Sequence, residues 1–300
     1  MIKKKLLKKV TVREGTKVNL ADHETGWAQN EELKDAGEEA VKEAAAKILE
    51  ANRQSLASAQ ELLWASGTYS VLIILQGLDA AGKDGTIRHV MSGVNPQGCR
   101  VQGFKVPTSE ELGHNFLWRY SKALPSRGEI GIFNRSYYED VLVVRVHPEI
   151  LENQRLPPGK RGTKFWDSRF RDINAFERHL RQNGTLVLKF FLHTSKDEQK
   201  KRLLERLENE DKYWKFSAAD LRERGFWDDY IRAYEAMLSH TSTKVAPWYV
   251  IPADYKWAAR ALIADIIVTK IHALELRYPK VTEEQMKDIV TAREQIMNEK

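Results

Sequence analysis

A glycine-rich segment directly after an apolar run is the part of the sequence best suited to chemistry. Residues 71–75 are all apolar, and Gly77, Gly82 and Lys83 follow with Gly-x-x-x-x-Gly-Lys spacing. In such a loop the glycines let backbone N–H groups approach an anion, and the lysine adds a mobile positive charge. A helix that begins near Lys83 would direct the positive end of its dipole at the same anion. The spacing therefore predicts a phosphate-binding loop between a buried strand and a helix.

Two carboxylates distinguish this loop from the common form. Asp84 stands where most such loops have a Ser or Thr that holds magnesium, and Asp79 lies inside the loop. A carboxylate among phosphates is unfavourable unless a metal ion or a proton neutralises its charge. Asp79 is therefore predicted to be a metal ligand or an acid–base group.

A second polar cluster follows the apolar segment 129–133. Ligands of open parallel sheets bind beyond the carboxyl ends of the strands, so Asn134, Arg135 and Glu139 should face the phosphate loop. Asn134 stands where many phosphate-loop enzymes have an aspartate for magnesium, and a neutral oxygen is a weaker ligand. Glu139 could accept hydrogen bonds or carry a proton at an acceptor site. An equal alternative is a solvated glutamate in the first turn of a helix.

Cations recur between the apolar segment 185–192, a third predicted central strand, and the helix predicted at 218–238. Kinases with a phosphate-binding loop carry a closing lid at this place. The cations of this segment are Arg202, Arg206, Lys212 and Lys215. Phosphoryl transfer needs positive charge around the moving group. Taken singly, each of these residues is more commonly a surface charge. The prediction depends on their sharing one edge of the sheet with Lys83 and Arg135.

The rest of the chain alternates apolar strands with amphipathic helices. Strands are predicted at 71–75, 100–104, 129–133, 185–192 and 248–251. Helices are predicted at 31–64, 85–91, 109–120, 165–182, 197–208, 218–238, 258–276 and 282–300. Residues 1–30 are predicted to be an extended arm packed on a larger body. This alternation is typical of an α/β fold, a three-layer parallel sheet of the P-loop kinase (NTP hydrolase-like) type with a helical lid.

These elements predict three parts of the chain. An N-terminal arm and a long helix (1–65) pack on a P-loop kinase domain (66–280), and a peripheral helix (281–300) follows. The lid is expected at about 196–225.

The composition indicates which kinds of partner the protein binds and in which cellular compartment it works. The formal charge of +6 and the pI near 9.1 favour anionic partners such as nucleotides or polyanions. No apolar run reaches membrane-spanning length, and the basic N-terminus lacks the apolar core of a secretory signal. Cys99 is the single cysteine, which excludes an internal disulfide and fits a reducing compartment. We therefore expect a cytoplasmic protein without a membrane partner.

Five separated motifs together resemble the type-2 polyphosphate kinases. They are Gly77–Gly85, Asn134–Asp140, Tyr213–Ser217, Trp227–Tyr230 and Thr241–Trp248. The resemblance extends from about residue 49 to residue 276, with the motifs in order and at family-like spacing. It implies reversible, magnesium-dependent phosphoryl transfer between inorganic polyphosphate and nucleotides, with Mn²⁺ as an alternative metal.

The resemblance also implies roles for individual residues. Asp79 and Lys83 would be catalytic, together with Arg135 and Glu139, and Asp79 would hold the metal. The predicted phosphate- and nucleotide-binding residues are Gly77, Ala80, Ala81, Gly82, Asp84, Gly85, Thr86, Lys105 and Asn134. The lid cations Arg202, Arg206, Lys212 and Lys215 would grip phosphate chains. Many family members have Asp at the position of Asn134, which leaves its metal role open.

Within the family, the residues 138–140 resemble the class that phosphorylates both AMP and ADP (class III). That class has a glutamate at the position of Glu139, where enzymes specific for diphosphates tend to have asparagine. The expected substrates are polyphosphate and adenine nucleotides, with guanine nucleotides as an alternative. A homo-oligomer is also expected, with the helices at the two ends of the chain as candidate contacts.

Three rival functions stay open at this point. The first is a polyphosphate kinase that uses ADP alone, and the second is an ATP-dependent nucleoside monophosphate kinase. Asp84 and the strongly cationic lid argue against the second. The third is a basic protein that binds nucleic acid, with stacking by Trp118, Trp166, Trp214 and Trp227. No nucleic-acid module is recognisable, so we expect no nucleic-acid partner.

Overall fold

The apolar run before the glycine-rich loop forms the central strand of the protein in a computed structural model that describes residues 4–299. This strand, β1 (Ser70–Gln76), is buried along its whole length. It pairs in parallel with β3 (Ile130–Asn134) and with β4 (Thr185–His193). The outer strands are β2 (Cys99–Gly103), beside β3, and β5 (Trp248–Pro252), beside β4. The resulting five-stranded parallel sheet, in the order β2-β3-β1-β4-β5, confirms the predicted α/β architecture.

Helices cover both faces of the sheet. In chain order they are α1 (Lys4–Val10), α2 (Glu31–Ala36), α3 (Glu38–Ser66), α4 (Lys83–Val90), α5 (Ser109–Leu112), α6 (Trp118–Lys122), α7 (Val143–Val146), α8 (Pro148–Glu152), α9 (Thr163–Gln182), α10 (Lys196–Glu208), α11 (Ala218–Gly225), α12 (Trp227–Thr241), α13 (Lys256–His272) and α14 (Glu283–Asn298). Short 3₁₀ segments lie between several of them, including Tyr137–Val141 after β3 and Glu210–Lys215 after α10.

Two apolar layers hold the sheet. One face packs against α3 and α13, as the cluster of Leu56, Ile73 and Ile263 illustrates. The other face packs against α9 and α12, with Phe133 and Met237 fully buried. Among the described residues, no helix is long and apolar enough to cross a membrane.

The N-terminal part departs from the predicted extended arm. Residues Lys4–Val10 form a helix, and Val10, its last residue, is buried. Thr11 then forms an antiparallel bridge with Tyr249 of β5, so the segment adds to the edge of the core. The first three residues of the predicted arm lie outside the described part of the chain. The sequence pattern did not indicate this helix. Only one of its side chains is buried, so its residues show no apolar periodicity.

Three helices predicted as continuous are divided, and a fourth ends early. The helix predicted at 31–64 is divided at Gly37, whose φ of +79° is favourable for glycine alone. The helix predicted at 109–120 becomes α5 and α6, because α5 ends at Gly113 and the Asn115 side chain accepts a hydrogen bond from the backbone N–H of Leu117. The helix predicted at 218–238 is divided after Gly225. The helix predicted to reach residue 276 ends at His272. These interruptions let short helices turn around the end of the sheet.

Candidate active site

The loop after β1 has the backbone of an anion cradle. A Cβ added to Gly77 would lie 3.0 Å from the carbonyl oxygen of Leu192 and 3.1 Å from Cβ of Ala81, so only glycine fits there. Gly82 has a φ of +102°, in the left-handed region that favours glycine. α4 begins at the next residue, which places its N-terminal N–H groups at the loop. The two glycines of the predicted motif therefore have the conformational roles that the spacing implied.

Lys83 folds back over this loop. Its Nζ donates to the carbonyl oxygens of Gly77, at 2.7 Å, and Leu78, at 3.1 Å. Burial lowers the pKa of Lys83, and the nearby Arg135 lowers it further, while Asp79 opposes the shift. A phosphate bound in the loop would stabilise the buried ammonium group because it adds the negative charge that is lacking.

Asp79 is paired with Arg135. The Nη2 atom of Arg135 donates to Oδ1 of Asp79 at 2.7 Å. Arg135 has a φ of +65°, an unfavourable conformation for a residue other than glycine. Its backbone N–H donates to Leu75 of β1 at 3.1 Å. The strained turn aims the guanidinium across the sheet at the loop, as expected of a functional residue.

Asn134 and Asp84, the two residues that replace the usual magnesium ligands of such enzymes, contact each other. Asn134, at the end of β3, donates from Nδ2 to Oδ1 of Asp84 at 2.6 Å. The amide thus stands beside the carboxylate that replaces the usual Ser or Thr. Each loop carboxylate, Asp79 and Asp84, has one oxygen engaged in this way, and its other oxygen accepts no hydrogen bond from residues 4–299.

Glu139 lies on the 3₁₀ segment Tyr137–Val141 rather than on the predicted α-helix. Burial raises its pKa, and the positive charges of Arg135 and Lys83 oppose that rise. Glu139 is half-buried and lies on a 3₁₀ segment, which differs from the alternative of a solvated glutamate in the first turn of an α-helix. Glu139 belongs to the charged group around the loop, although it does not line the large cleft described below.

A buried network that sequence reasoning missed supports this segment. Lys189, in the middle of β4, donates from Nζ to Glu177 at 2.6 Å, to the Tyr138 hydroxyl at 2.9 Å and to the Thr241 carbonyl at 2.7 Å. The hydroxyls of Tyr137 and Tyr138 both donate to the other oxygen of Glu177. Lys189 and Glu177 are completely buried. The network holds the two tyrosines that precede Glu139 in the chain. A lysine inside an apolar strand was the available signal.

Arg202 is placed differently from the other lid cations. Its Nη1 donates to the carbonyls of Ala80 and Ala81, both at 3.0 Å, and its Nη2 donates to Ala253 and Asp254. The Arg202 side chain is 4% exposed. It therefore braces the phosphate loop against the end of β5 instead of projecting freely toward a phosphate chain.

A cleft of about 720 Å³ opens above the loop. Ten of its lining side chains are Lys or Arg, and three are Asp or Glu. The predicted residues on its walls are Asp79, Ala80, Gly82, Lys83, Asp84, Gly85, Lys105, Asn134, Arg135, Arg202, Arg206, Lys212 and Lys215. Gly77, Ala81, Thr86 and Glu139 do not line it. Sequence reasoning missed Arg88, Glu205, Lys256 and Arg260, which lie on the walls formed by α4, α10 and α13.

The segment predicted as a lid is held over the cleft by side-chain pairs. Arg206 of α10 donates to Asp220 of α11 at 2.9 Å. At the far side of α11, Glu223 contacts Nε2 of His147 at 2.8 Å and accepts from the hydroxyl of Tyr230 at 2.6 Å. Arg224 of α11 also donates to the Lys196 carbonyl and to Gln199, both at 2.8 Å. All of these contacts are polar and none is fully buried, as expected for an element that opens.

The site fits a divalent metal only together with phosphate. Within the described residues, no group of three His, Cys, Asp or Glu side chains is arranged to hold a metal ion. Mg²⁺ is usually held by one or two carboxylates, with waters and phosphate oxygens completing its shell. Asp79 and Asp84 both line the cleft and supply hard oxygen donors of this kind.

Comparisons with known proteins agree with this geometry. Residues 39–279 match the family described as polyphosphate kinase 2 (PPK2). The chain is 51% identical over 252 residues to an ADP-polyphosphate phosphotransferase of Rhodopseudomonas palustris, covering 84% of this chain and 87% of the relative. It is 50% identical to an AMP/ADP-polyphosphate phosphotransferase of Meiothermus ruber, covering 81% of this chain and 86% of the relative. The crystal structure of polyphosphate kinase 2 from Arthrobacter aurescens TC1 matches with a TM-score of 0.81 at 38% identity, covering 94% of this chain and 95% of that one.

Proposed function

The chain belongs to the polyphosphate kinase 2 family, and from this premise we propose that it transfers phosphoryl groups between inorganic polyphosphate and both AMP and ADP, giving ADP and ATP. The enzyme is a kinase, so the proposal concerns its substrates. The observation that carries it is the cleft above the phosphate loop, where ten cationic side chains face three carboxylates. Such an excess suits a donor with many phosphates.

The roles of the residues follow from their positions. The loop N–H groups and Lys83 bind the phosphoryl group that moves, and Arg135 stabilises the negative charge that spreads over its oxygens. Asp79 and Asp84 would hold Mg²⁺, or Mn²⁺ in its place, against the phosphates, and the metal would neutralise charge there. Arg206, Lys212 and Lys215 bind the donor chain and exclude water when the lid closes. Because donor and product are both phosphoanhydrides, the transfer runs in both directions.

The choice of acceptor depends on Glu139. The relatives at 51% and 50% identity are named for ADP and for AMP/ADP, respectively. Their names therefore do not decide between an enzyme that uses ADP alone and one that uses both AMP and ADP. Glu139 is a half-buried carboxylate that feels the charges of Arg135 and Lys83. A carboxylate there would position a monophosphate together with its metal shell, which supports the use of AMP. Guanine nucleotides are the alternative acceptors.

The test supplies polyphosphate as the sole phosphoryl donor with Mg²⁺ and follows AMP, ADP and ATP over time. We expect ATP from both AMP and ADP, and we expect Glu139→Gln to reduce the use of AMP more than that of ADP. Formation of ATP from ADP alone would refute the AMP assignment. Reaction of a monophosphate with ATP but not with polyphosphate would identify an ATP-dependent nucleoside monophosphate kinase.

The proposal also covers the oligomeric state, the cellular compartment and the partners of the enzyme. We propose a homo-oligomer in the cytoplasm, with no nucleic-acid or membrane partner. The single cysteine supports a reducing compartment, and the exposed apolar side chains of the C-terminal helix support contacts between copies.

A further inference from the structure

Gln76 is a fully buried polar side chain at the end of β1, directly before the phosphate loop. Its Nε2 atom donates to the hydroxyl oxygen of Ser136 at 3.4 Å. Its Oε1 atom is also buried and has no hydrogen-bond partner within residues 4–299. A buried acceptor without a donor is unfavourable, because it loses its bonds to water and gains none in the folded chain. The stability of the fold therefore does not explain a glutamine at this position.

The amino group of Gln76 stands at the turn that carries Glu139. Ser136 caps this 3₁₀ segment. Its hydroxyl oxygen accepts a hydrogen bond from the backbone N–H of Tyr138 at 3.3 Å, and its carbonyl oxygen accepts one from the backbone N–H of Glu139 at 2.9 Å. Burial raises the pKa of Glu139, and hydrogen bonding from the Gln76 amide opposes that rise. Gln76 thus contacts both the cap of the turn and the carboxylate that the turn presents.

The orientation of the Gln76 amide agrees with a role at Glu139. With its amino group toward the turn, the amide donates to a carboxylate. The reversed orientation would place the amide oxygen against the same carboxylate, and neither group could donate to the other. The amide therefore keeps its amino group at the turn, while its oxygen accepts no hydrogen bond from the described residues. A polar group that is retained although it lowers stability is expected where a functional site needs it.

We propose that Gln76 is a positioning residue for the acceptor, which holds the Glu139 carboxylate in the orientation that receives AMP. Gln76 does not line the cleft, so it acts through Glu139 and not on the substrate itself. This inference rests on the proposed function, in which Glu139 positions a monophosphate. It adds that the last residue of β1, outside the Gly-x-x-x-x-Gly-Lys motif, helps to determine the choice between AMP and ADP.

The experiment compares Gln76→Met with Gln60→Met. Methionine has about the length of glutamine but donates no hydrogen bond. Gln60, on α3, is another buried glutamine and does not line the cleft, so it is the matched control. The kinetic readout is kcat/KM for AMP and for ADP with polyphosphate in excess. The Kd for AMP, measured by calorimetry without polyphosphate, gives a second readout that needs no turnover.

We expect Gln76→Met to lower kcat/KM for AMP and to raise the Kd for AMP about tenfold, as for the loss of one hydrogen bond to a charged group. The kcat/KM for ADP should stay within about twofold. The thermal unfolding midpoint should not fall by more than about 2 °C, because the substitution removes the unpartnered oxygen together with the amino group. Gln60→Met should keep the wild-type preference between AMP and ADP.

A second pair of variants tests the contact between Gln76 and Glu139 directly. Gln76→Glu places a second carboxylate beside Glu139, and the repulsion should lower the thermal unfolding midpoint by about 4 °C or more. In the exchange variant Gln76→Glu/Glu139→Gln an amide faces a carboxylate again. Its midpoint should return to within about 2 °C of the wild type, because the two positions are coupled.

Three outcomes would overturn the role of Gln76. They are unchanged use and binding of AMP in Gln76→Met, an equal loss with AMP and with ADP, which would make the residue structural only, and an exchange variant no more stable than Gln76→Glu. A wild-type enzyme that phosphorylates ADP but not AMP would refute the proposed function instead. The unfolding midpoints would then still decide whether Gln76 holds Glu139.

Discussion

At the scale of single residues, the pairing of Asp79 with Arg135 joins the phosphate loop to the end of β3. The 2.7 Å contact occupies one carboxylate oxygen and leaves the other available to a metal ion. Both residues line the cleft, so a change at Asp79 should affect chemistry more than folding.

We expect Asp79→Asn to abolish turnover and to leave the fold intact. The amide keeps the size of the side chain but removes the negative charge needed for a metal. The measurements are the rate of ATP formation from ADP and polyphosphate and the thermal unfolding midpoint. Asp35→Asn, on the exposed helix α2, is the matched control and should be fully active. Substantial activity of Asp79→Asn would remove this residue from its proposed role.

The buried pair of Lys189 and Glu177 leads to a prediction about stability. Lys189→Met should lower the free energy of unfolding by about 3 to 5 kcal/mol, because it leaves the Glu177 carboxylate buried without its counter-ion. Urea denaturation measures the change, with Lys200→Met on the surface of α10 as the control. The double variant Lys189→Met/Glu177→Gln should recover part of the loss. A loss under 1 kcal/mol in the single variant would show that the pair is not essential.

Asp140 should make stability depend on pH. Burial raises the pKa of its carboxyl group from 3.8 to about 6, and the nearby Arg169 opposes the rise. Between about pH 4 and pH 6 the unfolded chain loses this proton while the folded chain keeps it. The free energy of unfolding should therefore fall as pH rises, by about 3 kcal/mol in total.

Asp140→Asn should remove this fall, because an amide does not titrate. Urea denaturation at a series of pH values between 4 and 7 measures the slope for each protein. Asp172→Asn, on the exposed side of α9, should keep the wild-type slope. Parallel slopes for Asp140→Asn and the wild type would contradict the prediction.

At the scale of elements, α11 is a weakly packed part of the lid. Its polar contacts with the rest of the chain come from Asp220, Glu223 and Arg224, and Glu223 contacts both His147 and Tyr230. None of the α11 side chains is buried. An element held by a few polar contacts opens at low cost in free energy.

Glu223→Gln should therefore loosen α11. We expect amide hydrogen exchange in residues 218–225 to accelerate about fivefold, as for the loss of about 1 kcal/mol of hydrogen bonding, while exchange in β1 and β4 stays unchanged. Glu149→Gln is the matched control, since Glu149 also contacts His147 but its side chain is 69% exposed. Equal exchange in α11 of Glu223→Gln and the wild type would show that other contacts hold the lid.

At the scale of the whole molecule, the C-terminal helix α14 is separate from the core. It has no buried residue. Its exposed apolar side chains recur at helical spacing and are Met286, Ile289, Val290, Ile296 and Met297. Such a stripe is typical of a surface that another chain covers.

We expect a chain shortened after Val281 to form particles with fewer subunits than the full chain at the same concentration, by light scattering. Its thermal unfolding midpoint, taken at low protein concentration, should stay within about 2 °C of the full chain, because α14 contributes nothing to the core. The variant Asp288→Asn, on the same helix, should keep the mass of the full chain. Equal numbers of subunits per particle for the full and shortened chains would place any contact between copies elsewhere.

The sequence by itself determined the features that depend on local spacing. The loop, its strand and the start of α4 follow from glycine positions and an uninterrupted apolar run, which act within a few residues. The alternation of strands and helices indicated the parallel α/β fold, and five separated motifs were enough to indicate the family. The breaks at Gly37, Gly113 and Gly225 were missed because a helical apolar pattern continues across a short interruption of the backbone.

The tertiary structure alone decided which side chains meet across distant segments. Arg202 was predicted to grip phosphate, and the structure adds that it braces the loop, since four carbonyls from two separate segments converge on it. The contact between Asn134 and Asp84, the support of Glu139 by Lys189 and the contact between Gln76 and Ser136 likewise join distant elements. Charge and spacing along a chain show that such groups exist, but their burial and their partners arise only when the sheet and its helices pack.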